Sequence, residues 1–115
     1  MFAALLQLAG SENNIEQEVL THIERLPEVP AAMHAAVGNY YSTQQQWLLA
    51  WRSYLKSIAK QPTADVMFNL AVSLEHLERH PEAAQRYRQA LELGGIISFD
   101  RQSVKDRLLI ISNSD

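Results

Sequence analysis

Two stretches decide the fold: GNYYSTQQQWLLAWRSYLKSIAKQP at positions 38–62 and AVSLEHLERHPEAAQRYRQALELGG at positions 71–95. They align without a gap at a constant offset of 33 residues, and small residues match small ones while large residues match large ones. The matched pairs are Gly38 with Ala71, Tyr41 with Leu74, Ala50 with Ala83, Tyr54 with Tyr87, Ser57 with Ala90 and Pro62 with Gly95. A period between about 20 and 50 residues predicts an architecture of stacked repeats.

Each predicted unit consists of two helices. The sequence predicts helices over Ala31–Thr43 and Gln46–Lys60 in the first unit, and over Ala64–Glu78 and Pro81–Leu93 in the second. Thr63 is the predicted N-cap of the second unit. We expect the matched Gly and Ala positions to lie where antiparallel helices approach closely, and the two matched tyrosines to act as large wedges between successive hairpins.

Apolar residues at helical spacing extend the pattern to both ends of the chain. Phe2, Leu5, Leu6 and Leu8 form a short stripe, and Ile15, Val19, Ile23 and Leu26 form a longer one. A last helix is predicted from Asp100 to Ile111. We therefore expect one all-α domain of seven helices over residues 1–115: a diverged helix pair (1–30), two repeats (31–63 and 64–97) and a capping helix with its tail (98–115).

The composition limits the functions open to the chain. Its 115 residues fit one domain. Ten basic against 13 acidic residues give a net charge of −3, which argues against a nucleic-acid partner. The absence of cysteine excludes disulfides, thiolate zinc sites and cysteine nucleophiles. Because the apolar run from Phe2 to Leu8 is too short to span a bilayer, we expect no membrane insertion by this segment.

Patterns that indicate catalysis or a cofactor are missing from the sequence. It contains neither a G-x-S-x-G nucleophile elbow nor a Gly-rich phosphate loop. His76 and His80 have the spacing of a helical metal-ligand pair, but His80 precedes Pro81 in a predicted turn and no third ligand is evident. We therefore expect a protein that is not an enzyme and that carries no cofactor or metal.

The spaced residues resemble a tetratricopeptide repeat. The resemblance rests on Gly38-x-x-Tyr41, Ala50-x-x-x-Tyr54-x-x-Ser57 and Pro62, and on Leu70-Ala71-x-x-Leu74 and Ala83-x-x-x-Tyr87-x-x-Ala90. The usual period of that family is about 34 residues, so we place a one-residue deletion in the turn between the units. The resemblance covers about residues 31–97. It implies a superhelix of helical hairpins that binds proteins without catalysis.

A narrower resemblance involves Phe68–Leu77, Ala83–Leu91, Phe99-Asp100 and Val104–Leu108. This pattern is similar to the C-terminal repeats of accessory proteins of bacterial type IV pili (mannose-sensitive haemagglutinin type) and type II secretion machinery. It implies an adaptor in pilus or secretion-machinery assembly, part of a longer membrane-anchored protein and located in the periplasm. The alternative is a small cytoplasmic tetratricopeptide chaperone of a type III secretion subunit.

Members of the tetratricopeptide family bind partners on a concave face formed by the first helix of each unit. By that resemblance, the partner-binding residues here are Ala35, Asn39, Ser42, Asp65, Phe68, Asn69, Val72 and Glu75. Only the two asparagines fit the carboxylate clamp of chaperone-binding relatives, because Ala35 and Asp65 stand where that clamp needs cations. The mixed apolar and polar face instead suits an amphipathic helix or an extended segment of a partner protein.

Two alternatives stay open at this point. Phe68 either faces the groove, where it forms an apolar patch with Val72, or packs on the N-terminal helices of its own chain. Two clear repeats are also fewer than the usual three. Either residues 1–30 complete the stack within the chain, or a second copy of the chain covers the open end as a homodimer.

Overall fold

The computed structural model describes residues 13–26, 28–95 and 97–112, and over these residues the chain forms helices and connecting turns without any strand. The helices are α1 Asn13–Arg25, α2 Ala31–Thr43, α3 Trp47–Lys60, α4 Ala64–His76, α5 His80–Leu93 and α6 Arg101–Ser112. The all-α prediction is confirmed. The predicted bounds of α2 agree at both ends, and those of α3 to α6 differ by at most two residues. The predicted stripe from Phe2 to Leu8 lies outside the described residues.

Local hydrogen bonds and glycines explain where several helices begin and end. The hydroxyl of Thr63 accepts the Val66 N–H at 3.3 Å, so the predicted N-cap of α4 is confirmed. Asp100 precedes α6 and accepts the Ser103 hydroxyl at 2.9 Å, which lowers the pKa of its carboxyl. Helix α5 ends at Gly94 and Gly95, whose φ angles of 67° and 79° glycine adopts without steric cost.

The turns inside the two central hairpins have the same backbone geometry. Gln45 has φ 58° and Glu78 has φ 60°, both in the left-handed region. The amide that follows each of them donates to a carbonyl five residues earlier, at 3.0 and 2.9 Å. The offset of 33 residues therefore recurs in the backbone as well as in the residue types.

Glycine at position 78 is expected to stabilise the protein. A side chain at positive φ is strained, so Glu78→Gly should raise the free energy of unfolding by about 0.5–1 kcal/mol. Thermal unfolding measures the gain. Glu78→Ala is the matched control, because it removes the same exposed carboxylate but keeps the Cβ. An equal gain in the alanine variant would show that charge, and not backbone strain, limits stability here.

Small residues lie where neighbouring helices approach closest. A Cβ placed on Gly38 of α2 would lie 2.5 Å from Cε1 of Tyr54 on α3. Ala50, Ala71 and Ala83 are each 0% exposed. The predicted close approach at these positions is therefore confirmed, and it explains why no larger side chain occupies them.

A larger side chain at one of these close contacts should destabilise the fold. Ala83→Leu inserts a large side chain where the structure leaves no free surface, and we expect it to lower the free energy of unfolding by about 1–3 kcal/mol. Urea unfolding provides the measurement. Gln85→Leu, on an exposed position of the same helix, should change stability by less than about 0.5 kcal/mol. If both variants unfold at the wild-type urea concentration, Ala83 does not lie in a tight contact.

Among the described residues, the core consists of two clusters that meet at Tyr41. The larger one joins α3 to α6, and its members include Tyr54, Leu70, Leu74, Tyr87 and Val104. The smaller one joins α1 to α2 and contains Leu20, Ile23, Val29 and Val37. Tyr41 packs against both clusters. Of the predicted stripe, Ile23 is buried in this cluster, and Val19 and Leu26 are partly buried against it.

Two tryptophans connect the central hairpins. The ring of Trp47 stacks on His76, with 3.8 Å between centroids and 1° between planes. The Arg79 guanidinium lies 5.1 Å from the ring centroid of Trp51. Both contacts join α3 to the end of α4 and the turn after it, so the two indoles contribute to the packing of one hairpin on the next. His80 is the first residue of α5 and not a turn residue as predicted, yet it is still separated from His76 by the end of α4.

Candidate functional site

Three of the predicted partner-binding residues come together around one hydroxyl group. The Tyr54 ring is 1% exposed, and its hydroxyl donates to Asn39 Oδ1 at 2.7 Å. The Ser42 hydroxyl lies 3.1 Å from the same group, and Asn69 Nδ2 lies 3.4 Å from Asn39 Oδ1. Burial raises the pKa of the Tyr54 hydroxyl. This cluster links α2 to α4 and leaves Asn39 exposed.

The C-terminal segment covers part of the predicted face of α4. Asp65 accepts two hydrogen bonds from Ser98, from its N–H at 2.8 Å and from its hydroxyl at 2.9 Å. Phe68 stacks on Phe99 with 5.0 Å between centroids, and its ring lies 5.8 Å from that of Tyr87. The sequence predicted Phe68 in an open groove or against the N-terminal helices. The structure places it against the segment that leads into α6.

Glu75 also contacts the chain's own C-terminal part. Its Oε1 accepts the Tyr87 hydroxyl at 2.8 Å and lies 3.0 Å from Arg107 Nε of α6. The Glu75 side chain is only 18% exposed. This shared acceptor ties α4, α5 and α6 together. Tyr87 stands 12 residues after Glu75, just as Tyr54 stands 12 residues after Ser42, so the hydroxyl contact recurs in both hairpins.

Tyr87 should make the protein unstable in alkali. Burial first, and then the hydrogen bond to Glu75, raise the pKa of its hydroxyl. An unfolded tyrosine titrates near pH 10. Above that pH the unfolded state loses a proton that the folded state keeps, so stability falls by up to about 1.4 kcal/mol per pH unit.

Denaturant unfolding between about pH 9 and 11 measures this loss. Tyr87→Phe should show a shallower decline than the wild type, because the variant has no proton to lose at this position. Tyr40→Phe, at a half-buried tyrosine of α2, is the matched control. If the Tyr87→Phe slope equals the wild-type slope, Tyr87 ionises as readily in the folded state as in the unfolded state.

The remaining two of the eight predicted partner-binding residues pack against the core. Ala35 and Val72 are partly buried and lie against the larger core cluster. Of the eight predicted positions, only Asn39 is exposed, and the other seven are half-buried. A partner-binding role for these eight residues stays a prediction. Several of them contact other side chains of the same chain, which the sequence did not predict.

A cavity of about 340 Å³, which no sequence pattern predicted, opens between α1, α2 and α3. Its apolar lining consists of Leu20, Ile23, Leu26, Val29, Val37, Tyr41 and Leu49. Its polar lining consists of His34, Arg52, Ser53, Lys56 and Lys60. The volume and the mixture of apolar surface with a few polar groups are typical of binding clefts.

Helix α3 supplies a positive edge to this cavity. Arg52, Lys56 and Lys60 recur every four residues, a spacing that places them on one face of the helix. Burial, followed by the charges of Lys56 and Lys60, lowers the pKa of His34. The row of cations is visible in the sequence. The apolar surface beside it depends on how α1 packs on α2, which no local pattern specifies.

Within the described ranges, no group of three potential ligands among His, Asp and Glu converges on a common point. No helix within those ranges combines the length and apolar character needed to cross a bilayer.

Comparison of the chain with protein-family models, with curated proteins and with solved structures found no match. The class that fold and site define is thus an all-α protein with an open, cation-edged apolar cavity.

Proposed function

We propose that this chain is a non-catalytic scaffold of tetratricopeptide type that binds another protein. Support comes from the features that recur at the 33-residue offset: the left-handed turn residues, the buried small residues and the tyrosine hydroxyl contacts. Helix α6 packs on α5 after the second hairpin, and in this proposal it is the capping helix of the array. Stacked hairpins of this kind present extended surfaces for partners.

The observation that carries the binding role is the cavity between α1, α2 and α3. Leu26 and Leu49 line it and are only partly buried, so they leave apolar surface in contact with water. Filling such a surface with apolar side chains of a partner is favourable by about 25 cal/mol per Å². Its polar lining contains no carboxylate among the described residues, and thus no carboxylate pair for acid–base chemistry.

The narrower proposal is an adaptor in bacterial pilus or secretion-machinery assembly. It rests on the resemblance carried by the second repeat and α6. In this role the chain receives an amphipathic helix or an extended segment from another component of the machinery. The Asn39, Ser42 and Asn69 cluster offers additional polar groups to such a segment, because Asn39 is exposed at its edge.

Photo-crosslinking in the source organism tests the scaffold function. A benzoylphenylalanine at position 49 lines the cavity, whereas one at position 48 lies on a side chain that is 53% exposed and outside the cavity lining. We expect position 49 to capture a defined protein and position 48 not to capture it. The purified partner should then bind the chain stoichiometrically in calorimetry.

Identification of the captured protein by mass spectrometry tests the narrower proposal. A pilus or secretion component supports the adaptor role, and a protein from any other process contradicts it. Capture of the same set of proteins from positions 48 and 49 would contradict the cavity as the binding site.

A further inference from the structure

A row of three cations runs along one edge of the cavity. Arg52, Lys56 and Lys60 are exposed and span about 12 Å along the axis of α3, at a rise of about 1.5 Å per residue. The apolar lining lies beside this row, so the two surfaces form adjacent stripes. An occupant that matches them needs an apolar stripe next to an acidic one.

These cations are poorly neutralised by the described part of the chain. Lys60 Nζ lies 3.9 Å from Oε1 of Glu28, whose side chain is 86% exposed, and such a pair contributes little. No described carboxylate lies within ion-pair distance of Arg52 or Lys56. The effect of Lys56 and Lys60 on His34 indicates that their charge extends to the cavity lining.

We propose that the cavity binds an acidic amphipathic helix of a partner protein. This inference rests on the proposed scaffold function and specifies the chemistry of its partner. Acidic residues four apart on the partner helix match the spacing of Arg52, Lys56 and Lys60, while its apolar residues fill the floor formed by α1 and α2. The charge complementarity selects acidic over basic helices.

The shape of the surface favours a helix over a lipid. Three cations spread along α3 match a series of carboxylates, whereas a single lipid headgroup would engage one or two of them. The buried floor residues Ile23, Val29 and Val37 lie at the bottom of a concave surface. A flat bilayer does not reach into such a surface, but the side chains of a helix do.

Two designed peptides serve as probes of this proposal. The first is a fluorescent helix of about 18 residues, long enough to form in isolation, with leucine on one face and glutamate beside it. The second carries lysine in place of every glutamate. At low salt, fluorescence anisotropy should show that the acidic peptide binds the full chain at least about tenfold more tightly than the basic one. Added salt should weaken the acidic complex.

Charge reversal at the edge provides the matched variants. Arg52→Glu with Lys56→Glu should weaken the acidic peptide by about tenfold or more and strengthen the basic one. Arg88→Glu with Lys105→Glu makes the same change in net charge at exposed sites on α5 and α6, and should change either affinity by less than about twofold. If the double variant does not fold, Lys56→Gln replaces it as the test. We expect Lys56→Gln to lower the affinity for the acidic peptide about threefold.

Equal affinities for the two peptides, or an unchanged affinity in the edge variant, would overturn the acidic partner. They would leave the scaffold function intact if position 49 still captures a partner. Tighter binding to phosphatidylglycerol vesicles than to the acidic peptide would also overturn it. An intramolecular cross-link from position 49 to residues 1–12, or one to a second copy of the chain, would overturn both the acidic partner and the cavity as a partner site.

Discussion

Phe68→Ala is expected to lower the free energy of unfolding by about 3 kcal/mol. The Phe68 ring stacks on Phe99, contacts Tyr87 and packs against the larger core cluster. Removing a buried phenylalanine ring costs about 3–5 kcal/mol, and Phe68 belongs at the lower end because it is only partly buried. Chemical denaturation followed by circular dichroism provides the measurement.

Leu109→Ala is the matched control for this prediction. Leu109 lies on α6 and is 67% exposed, so its loss should change stability by less than about 0.5 kcal/mol. The double variant Phe68→Ala with Phe99→Ala should reveal a coupling of about 0.5–1.5 kcal/mol between the two rings. Wild-type stability in Phe68→Ala would instead place the ring in an open groove, as one of the alternatives from the sequence has it.

Glu75→Ala should also destabilise the protein, by about 2–3 kcal/mol. The variant leaves the hydroxyl of Tyr87, a residue that is 1% exposed, without its acceptor, which costs about 1–3 kcal/mol. It also removes the ion-pair partner of Arg107 and thereby a link between α4 and α6. Because the Arg107 side chain is 49% exposed, the loss of this ion pair adds at most about 1 kcal/mol.

Two variants separate the contributions at Glu75. Glu75→Gln keeps an oxygen for the Tyr87 hydroxyl but loses the charge, so we expect it to cost about 1 kcal/mol. Glu92→Ala removes an exposed carboxylate from α5 and should change stability by less than about 0.5 kcal/mol. Urea unfolding of the three variants gives the comparison. If Glu75→Ala behaves like Glu92→Ala, Glu75 is available to a partner and does not hold α6 in place.

Both predictions bear on where a partner binds. The sequence assigned Phe68 and Glu75 to a partner-binding face, whereas the structure engages them with Phe99 and Arg107 of the chain's own C-terminal part. Helix α6 and the segment before it thus occupy positions that a partner would otherwise contact. A cavity of about 330 Å³ remains between Phe68 and α6, and the cation-edged cavity lies at the other end of the described chain, between α1, α2 and α3.

The helices and the closest contacts between them were predictable because they depend on residues that are near one another in the sequence. Apolar spacing, the Thr63 cap and the Gly94-Gly95 breaker act within a few residues of the chain. The small residues at the matched positions predicted contacts between helices that are joined by short turns. A short turn between two helices makes them pack side by side as an antiparallel hairpin. For this reason the predicted bounds of α2 agree at both ends and the burial of Ala83 was correctly anticipated.

The partners of polar side chains were not predictable in this way. Asp65 pairs with Ser98, 33 residues away, and Glu75 pairs with Arg107 of a helix whose direction depends on the Gly94-Gly95 turn. Small differences in that turn would move either partner out of hydrogen-bond distance. The row of cations on α3 was visible in the sequence. Its proposed role in binding depends on the apolar surface beside it, which was not.

The amino-acid sequence by itself determined the all-α class, the hairpin period and the positions at which helices touch, because a regular pattern of small and large residues leaves few ways to pack. Only the tertiary structure decided which of the candidate faces remains open. Phe99, in the segment before α6, stacks on Phe68, and Arg107 of α6 pairs with Glu75. A cavity beside Arg52, Lys56 and Lys60 stays open between α1, α2 and α3. The physical reason is that a cavity depends on gaps between helices distant in sequence, whereas a helix depends on neighbours along the chain.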